Sequence, residues 1–357
     1  MHKKKIYIVI GARPNFVKLA PLLDKMKEYP ELLPVVIHTG QHYDFRMSES
    51  FFQDLNLPVP DFNLGVGSKT HGKQTAEIME KFEDICIDSK PLAVVVIGDV
   101  NSTLACALVA AKLQICVIHI EAGCRNFDMT MPEEINRKLT DHISNYLFCA
   151  TEKSVEYLKN EGINQNVFFT GDLQYDALKS NIKKADKFSS IFSKIGYRPG
   201  EYYLATIHRA DNISKKKRLK NIVDAFCGIE RVVFPCHPGT QKWLKKYNLW
   251  ERLNRKVKVI DPVTYLEMLA LERGAIKIIT DSGGVQREAF WLKVPCITLM
   301  DHVLWPELFF EGWNVLIETN KDLILKAVYA PHKLKGQKQY FGDGNSAGVM
   351  AEIINGI

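Results

Sequence analysis

The sequence has no CxxC pair and no metal-ligand spacing among its eight cysteines, at positions 86, 106, 116, 124, 149, 227, 236 and 296. Several of them sit in apolar runs, where Cys behaves as a small hydrophobe, so reduced thiols are expected rather than a disulfide framework. His42, His119 and His142 form no close ligand set with a second His or Cys, which argues against a catalytic metal. No apolar stretch is long enough to span a bilayer, and the N-terminal run Ile6–Ile10 is too short for a signal-peptide core. A soluble cytoplasmic protein with no membrane partner is expected. Repeats and low-complexity segments are also missing. The first strand is followed by GARPNFVK rather than G-x-G-x-x-G, and the second ends in His38-Thr39 rather than in an acid. A bound nicotinamide dinucleotide is therefore not expected. The net charge of +6 is scattered, with clusters only at Lys3–Lys5 and Lys215–Arg218. These read as solvated surface, so no nucleic acid is expected, while a mildly basic chain suits small anionic substrates such as nucleotides.

What remains is an ordinary globular composition, 46% hydrophobic and 25% charged over 357 residues, a length that suits two domains. Short β-branched runs alternate with helical stretches, the mark of a parallel α/β sheet. Six fall in the first half (6–10, 33–38, 93–97, 115–120, 147–149, 167–169) and six in the second (202–207, 232–234, 257–260, 276–279, 296–299, 315–317). The expected fold is therefore α/β, with two Rossmann-like, doubly wound domains facing a central cleft. Residues 1–174 form the N-terminal domain and 175–340 the C-terminal domain. Residues 341–357 form a C-terminal helix placed to pack back on the first domain.

Polar residues at the strand ends carry the chemistry, since ligands of open α/β sheets collect at the carboxyl ends of strands. In CVIHIEAGCRNFDMTMPEEINR, Glu121 ends an apolar strand, and Glu133-Glu134 follow within the same segment. Carboxylates there are costly to hold unless they bind or react with something. Asp99 ends the preceding strand and is either a second acid or a helix cap before Asn101. Glu133 and Glu134 are either acid/base groups or favourable charges in a first helical turn. His208, beside Arg209, joins the acid/base candidates. Arg13 and Lys18 at a helix start suit a phosphate or diphosphate, or are surface cations. Ser282, Gly283 and Gly284 form a strand-to-helix turn open to a phosphate, with Glu288 one turn on, facing a ribose diol. His237, in Pro235-Cys236-His237-Pro238, either meets a nucleotide or completes a turn.

The stretches GARPNFVKLAPL, HTGQHYD, GDVNSTLA, HIEAGCR, MPEEINRKLTDHIS, TIHRADN, CHPGT and DSGGVQREA occur in that order from Gly11 to Ala289. In this respect the chain resembles the non-hydrolysing UDP-N-acetylglucosamine 2-epimerases. The resemblance implies a glycosyltransferase-B-like arrangement, a homodimer, a UDP-sugar as substrate and no cofactor. It implies proton transfer and leaving-group roles for Asp99, Glu121, Glu133 and His208, and diphosphate and sugar contacts for Arg13 and Lys18. Nucleotide contacts would come from His237, Ser282, Gly283, Gly284 and Glu288. The product would be the manno isomer, used as a surface polysaccharide precursor. Two departures stand out. Where the family carries Arg and then Thr-Glu, this chain has Met300 and Val303-Leu304, which opens the possibility of a differently substituted sugar or of a weakly active paralogue. Gln41-His42 match part of a second, regulatory substrate site, but the 65–72 segment lacks its Arg. A hydrolysing relative is the enzyme rival, and the GARPNF segment argues against it.

Overall fold

The structure, a computed structural model, describes residues 3–40, 54–332 and 334–357, without the side chain of Arg13. The expectation for Gln41 and His42 lies outside the described residues. The chain forms two compact units, Met1–Lys179 with Gln339–Ile357, and Ser180–Lys338. The passage between them falls inside the helix Leu173–Ala185, where no linker composition marks it.

In the first unit, β1 (Lys4–Ile10), β2 (Leu32–His38), β3 (Phe62–Asn63), β4 (Ala93–Ile97), β5 (Cys116–Ile120), β6 (Tyr146–Cys149) and β7 (Val167–Phe169) form one parallel sheet, in the order β3-β2-β1-β4-β5-β6-β7. The run Ala93–Ile97 is buried throughout, as a strand covered on both faces must be. Helices His71–Ser89 and Asn101–Lys112 cover one face, placing Ile78, Phe82, Cys106 and Ala110 against Tyr7, Val9, Val94 and Val96. The second unit repeats the scheme with β8 (Tyr203–Thr206), β9 (Val232–Pro235), β10 (Lys258–Ile260), β11 (Ile278–Thr280), β12 (Cys296–Thr298) and β13 (Asn314–Leu316), in the order β10-β9-β8-β11-β12-β13. Its core gathers Leu219, Ile222, Val223 and Phe226 from one helix onto Phe234, Ile279 and Ile297.

All twelve strands read from the sequence are present, with ends shifted by a residue or two. The short β3 was missed because its two residues are exposed and make no apolar run. The cysteines are free, and burial pushes the Cys86, Cys236 and Cys296 thiols up to about 12, so they pack as neutral side chains. Among the described residues no helix is long and apolar enough to cross a membrane.

Strand order reverses direction between β1 and β4 in the first sheet and between β8 and β11 in the second. Loops leaving such neighbours diverge to opposite faces and open a crevice at the carboxyl edge. Each unit thus has one switch point, and both coincide with motifs singled out in the sequence.

The C-terminal helix Ser346–Asn355 belongs to the first unit. The Asp176 carboxylate accepts from the Ala347 N–H at 2.7 Å, and Lys4 Nζ donates to the Asn355 carbonyl at 2.7 Å. The returning backbone passes so near Gly171 (φ +85°) that a Cβ there would stand 2.5 Å from Ser346 Oγ and 2.9 Å from the Phe341 carbonyl. Gly171→Ala is therefore expected to cost about 2 kcal/mol or more, from left-handed strain plus overpacking. A urea titration checks this, and an unchanged midpoint would show that the C-terminal segment does not depend on the close approach.

Candidate active site

The first switch point is built around Glu121. It follows β5 and has φ +67°, a left-handed conformation that a non-glycine residue adopts at a cost of about 1 kcal/mol. Its Oε2 lies 2.5 Å from Lys18 Nζ, whose side chain is buried on the first helix, Arg13–Met26. A Cβ on Gly98 would stand 3.5 Å from the same oxygen, so the backbone after β4 walls the carboxylate. The helix start is fixed by Asn15, whose Oδ1 accepts from Gly11 N at 3.2 Å and Ala12 N at 3.0 Å while its Nδ2 donates to the Ile97 carbonyl at 3.2 Å. One side chain thereby ties the loop after β1 to the end of β4. The helix start thus carries its cation to the acid: Lys18 is no free surface lysine.

Asp99 is not a helix cap. The helix Asn101–Lys112 starts from Val100 without a side-chain cap, and the Asp99 carboxylate accepts from Arg137 Nη1 at 2.5 Å. Arg137 also donates to Glu134 Oε2 through Nε (3.0 Å) and Nη2 (2.6 Å). Burial works against the guanidinium charge, but Asp99 and then Glu134 outweigh it and hold Arg137 above its ordinary range. Glu134, fully buried, additionally accepts from the Asn126 and Phe127 N–H groups and so folds the 126–131 loop onto its helix, Pro132–Ile143. Of the acidic pair, Glu134 has the structural task. Glu133, half-buried one residue earlier, makes no hydrogen bond through its side chain among the described residues, which leaves it open to a ligand.

Beneath Glu121 lies a charged cluster, buried at His119, Asp141 and Arg125 and reaching the surface at Glu161. His119 Nε2 donates to the Gly98 carbonyl at 2.8 Å, and Nδ1 lies 2.6 Å from Asp141 Oδ1. Asp141 Oδ2 accepts from Gly123 N at 3.1 Å and from Arg125 Nη1 at 2.7 Å. Arg125 in turn donates to both oxygens of Glu161, at 2.9 and 2.7 Å. Burial alone would push the Asp141 carboxyl up, yet His119 and Arg125 bring it below the usual carboxylate range. Gly123 (φ +74°) leaves no room for a side chain: a Cβ would meet the Ser154 carbonyl at 2.3 Å.

The second switch point is organised by Asp281, which is fully buried after β11. It accepts from the backbone N–H groups of His208 (3.0 Å) and Arg209 (3.1 Å), and from Asn212 Nδ2 (3.0 Å). The carboxylate thus anchors the loop after β8 and presents His208, whose side chain is half exposed with Nδ1 3.5 Å from Asp281 Oδ1. Ser282 caps the helix Gly283–Trp291, and nothing lies within 4 Å of a Cβ built on Gly283, so the helix N-terminus is open. Glu288 is buried in that helix beside Glu272. Burial, and then the Glu288 charge, push Glu272 well above its ordinary range. His237 completes a turn, its Nδ1 accepting from Gly239 N at 3.0 Å. In the divergent loop, Met300 is buried and its Sδ accepts from Gln286 Nε2 at 3.1 Å, while His302 accepts from Arg209 Nη1 at 3.1 Å.

The first unit therefore gathers Lys18, Asp99 and Glu121 at one switch point, with Glu133 on the adjoining helix. The second gathers His208, Ser282 and Gly283 at the other, with Gly284 and Glu288 in the helix that starts there. Sequence reading missed Arg137, Asp141 and Asp281 as anchors and weighed His119 only as a metal ligand. A buried anchor has little local signature, because key partners lie far along the chain: Asp141 meets His119 across 22 residues, Arg137 meets Asp99 across 38 and Asp281 meets His208 across 73. The two adjacent glutamates now separate by experiment. Glu134→Ala should cost about 3–5 kcal/mol by leaving Arg137 buried and under-paired, whereas Glu133→Ala should change stability by less than about 0.5 kcal/mol. Thermal melts of both variants check this; equal losses would contradict the division of roles.

A profile of the family described as UDP-N-acetylglucosamine 2-epimerase matches residues 24–355. A UDP-N-acetylglucosamine 2-epimerase homolog of Methanococcus maripaludis is 47% identical over 358 residues, covering 99% of this chain and 100% of its own. A Pseudomonas aeruginosa UDP-2,3-diacetamido-2,3-dideoxy-D-glucuronate 2-epimerase is 40% identical, with 98% of this chain and 99% of its own covered. The crystal structure of the Methanocaldococcus jannaschii UDP-GlcNAc 2-epimerase, in complex with UDP-GlcNAc and UDP, superposes with a TM-score of 0.93 at 44% identity, covering 99% of this chain and 100% of that one. With matches of this extent the chain belongs to the UDP-N-acetylglucosamine 2-epimerase family and is an isomerase.

Proposed function

We propose that the protein interconverts UDP-N-acetylglucosamine and its manno epimer by elimination and re-addition of UDP. A base takes the C2 hydrogen as a proton, the freed electron pair forms the C1=C2 bond, and the C1–O bond breaks with its electrons passing to the UDP oxygen. C2 is then reprotonated on the opposite face, and the UDP oxygen adds back to C1. Overall charge and atoms balance, and no other reactant is consumed.

The observation that carries this reading is the Glu121–Lys18 pair at the first switch point, with Asp99 held on Arg137 beside it. A carboxylate kept in a strained backbone conformation against a buried cation is preorganised for proton transfer. We assign Asp99, Glu121, Glu133 and His208 to proton transfer and leaving-group protonation. Arg13 and Lys18 meet the diphosphate and sugar, with Lys18 also paired to Glu121. Ser282, Gly283 and Gly284 bind phosphate at a helix N-terminus, Glu288 accepts from the ribose diol, and His237 borders the nucleotide. The same reading places the enzyme in the cytoplasm as a homodimer that supplies a surface polysaccharide precursor.

A second reading is favoured by one feature. Met300, buried against Gln286, replaces a polar contact of the family, and a relative 40% identical is named for a 2,3-diacetamido sugar. A substituted UDP-N-acetyl sugar would meet a less polar loop there.

Incubation with UDP-N-acetylglucosamine in deuterated water, followed by proton NMR, tests both. Deuterium at C2 with UDP attached is the expected outcome. Free N-acetylmannosamine with UDP would mean hydrolysis, and exchange only with a substituted UDP-sugar would establish the second reading. Glu121→Gln should retain UDP binding while C2 exchange falls about 10²-fold or more; undiminished exchange would remove Glu121 from the mechanism.

A further inference from the structure

His119 is fully buried, and its two ring nitrogens meet an amide carbonyl (Gly98, 2.8 Å) and a carboxylate (Asp141, 2.6 Å). Both partners only accept. A neutral imidazole has a single N–H, so one nitrogen lone pair would face an oxygen lone pair at contact distance. Two N–H groups satisfy both partners. Asp141 and Glu161 are the anions of this cluster, and Arg125, the partly exposed Lys138 and a protonated His119 are its cations.

The contacts of this pair flank Glu121 on both sides. Through Nε2 the imidazole holds the Gly98 carbonyl, and Gly98 is the residue whose backbone walls the Glu121 carboxylate and precedes Asp99. Gly98 N donates in turn to the Ile120 carbonyl at 3.0 Å, closing the loop after β4 onto the end of β5. Through its second oxygen Asp141 holds Gly123 N, two residues beyond Glu121. Gly98 (φ +74°) and Gly123 (φ +74°) take left-handed backbone freely as glycines, whereas Glu121 (φ +67°) does so at a cost that its surroundings must hold.

We propose that His119 is a positioning residue, held as an imidazolium by Asp141, which fixes the Gly98–Asp99 turn against Glu121 and so sets the distance between two acids of the reaction. His119 touches neither acid side chain in this arrangement and transfers no proton to substrate. The inference rests on the reading that Glu121 and Asp99 act on the sugar.

The test uses the whole enzyme and three preparations. Nitrogen-15 imidazole NMR of the unaltered protein at pH 8.5, with His119 assigned by its loss in a variant, should show both ring nitrogens protonated; one unprotonated nitrogen would overturn the proposal whether or not any variant folds. His119→Gln places an amide N–H near the Nε2 position, keeping the Gly98 contact, while His119→Asn places one near Nδ1, keeping the Asp141 contact. Positioning through Gly98 predicts that kcat for C2 exchange falls about 10²-fold in His119→Asn and less than about tenfold in His119→Gln. KM should stay within about threefold in both. A purely structural histidine would instead give kcat losses that follow the melting temperatures, and wild-type kcat in His119→Asn would likewise refute positioning. If the unaltered enzyme exchanges no C2 hydrogen on any UDP-sugar, the underlying reading has failed, an outcome distinct from exchange that is insensitive to His119→Asn.

Discussion

Parallel sheets concentrate reactive groups at the carboxyl edge, where strands end and backbone N–H groups lose their ladder partners. In both units a buried aspartate meets that demand. Asp141 collects Gly123 N, Arg125 and His119 beneath the first switch point, and Asp281 collects His208 N, Arg209 N and Asn212 beneath the second. Isolated carboxylates could not remain charged at such depth. Its neighbours keep Asp141 below its ordinary range, and Asp281 accepts from several donors, so each is a fixed point on which a reactive loop is folded. The mostly buried Glu121 and the half-exposed His208 side chains stand above these hidden anchors.

The division between exposed acids and buried anchors also explains why neighbouring residues differ so much. Glu133 and Glu134 are adjacent on one helix, yet a turn of about 100° per residue sends Glu134 inward to Arg137 and two backbone amides and leaves Glu133 half-buried without those partners. Lys18 and Arg13 share a helix, and Lys18 is already committed to Glu121. In the second unit the open helix start at Ser282-Gly283 contrasts with the carboxyl pair Glu272–Glu288 packed within the same layer.

Much of this was legible in the sequence because it is local. Apolar β-branched runs such as Ala93–Ile97 are read directly as buried strands, and strand-end polar residues follow from them. Glu121, Asp99, His208 and the DSGG turn were found in that way. What sequence could not supply was pairing across distance. Arg137 is a basic residue among many until it meets Asp99, 38 residues away, and His119 looks like a possible metal ligand until Gly98 and Asp141 surround it. Asp99 had an alternative as a helix cap, which the pairing with Arg137 removes. The two-residue β3 lacked any apolar pattern, since an edge strand of exposed residues has no burial to encode. Family membership, in turn, rests on the order of the motifs over nearly the whole chain rather than on any one of them.

In the proposed reaction, proton removal at C2 is coupled to cleavage of the sugar–diphosphate bond. UDP-N-acetylglucosamine carrying oxygen-18 in the bridge between C1 and the β-phosphate tests that coupling most directly. If UDP leaves and returns, the freed β-phosphate can rotate, and the label should appear in its non-bridging positions as the manno epimer forms, as read from the isotope shift in phosphorus NMR. Epimer formed with the label still wholly in the bridge would contradict the account.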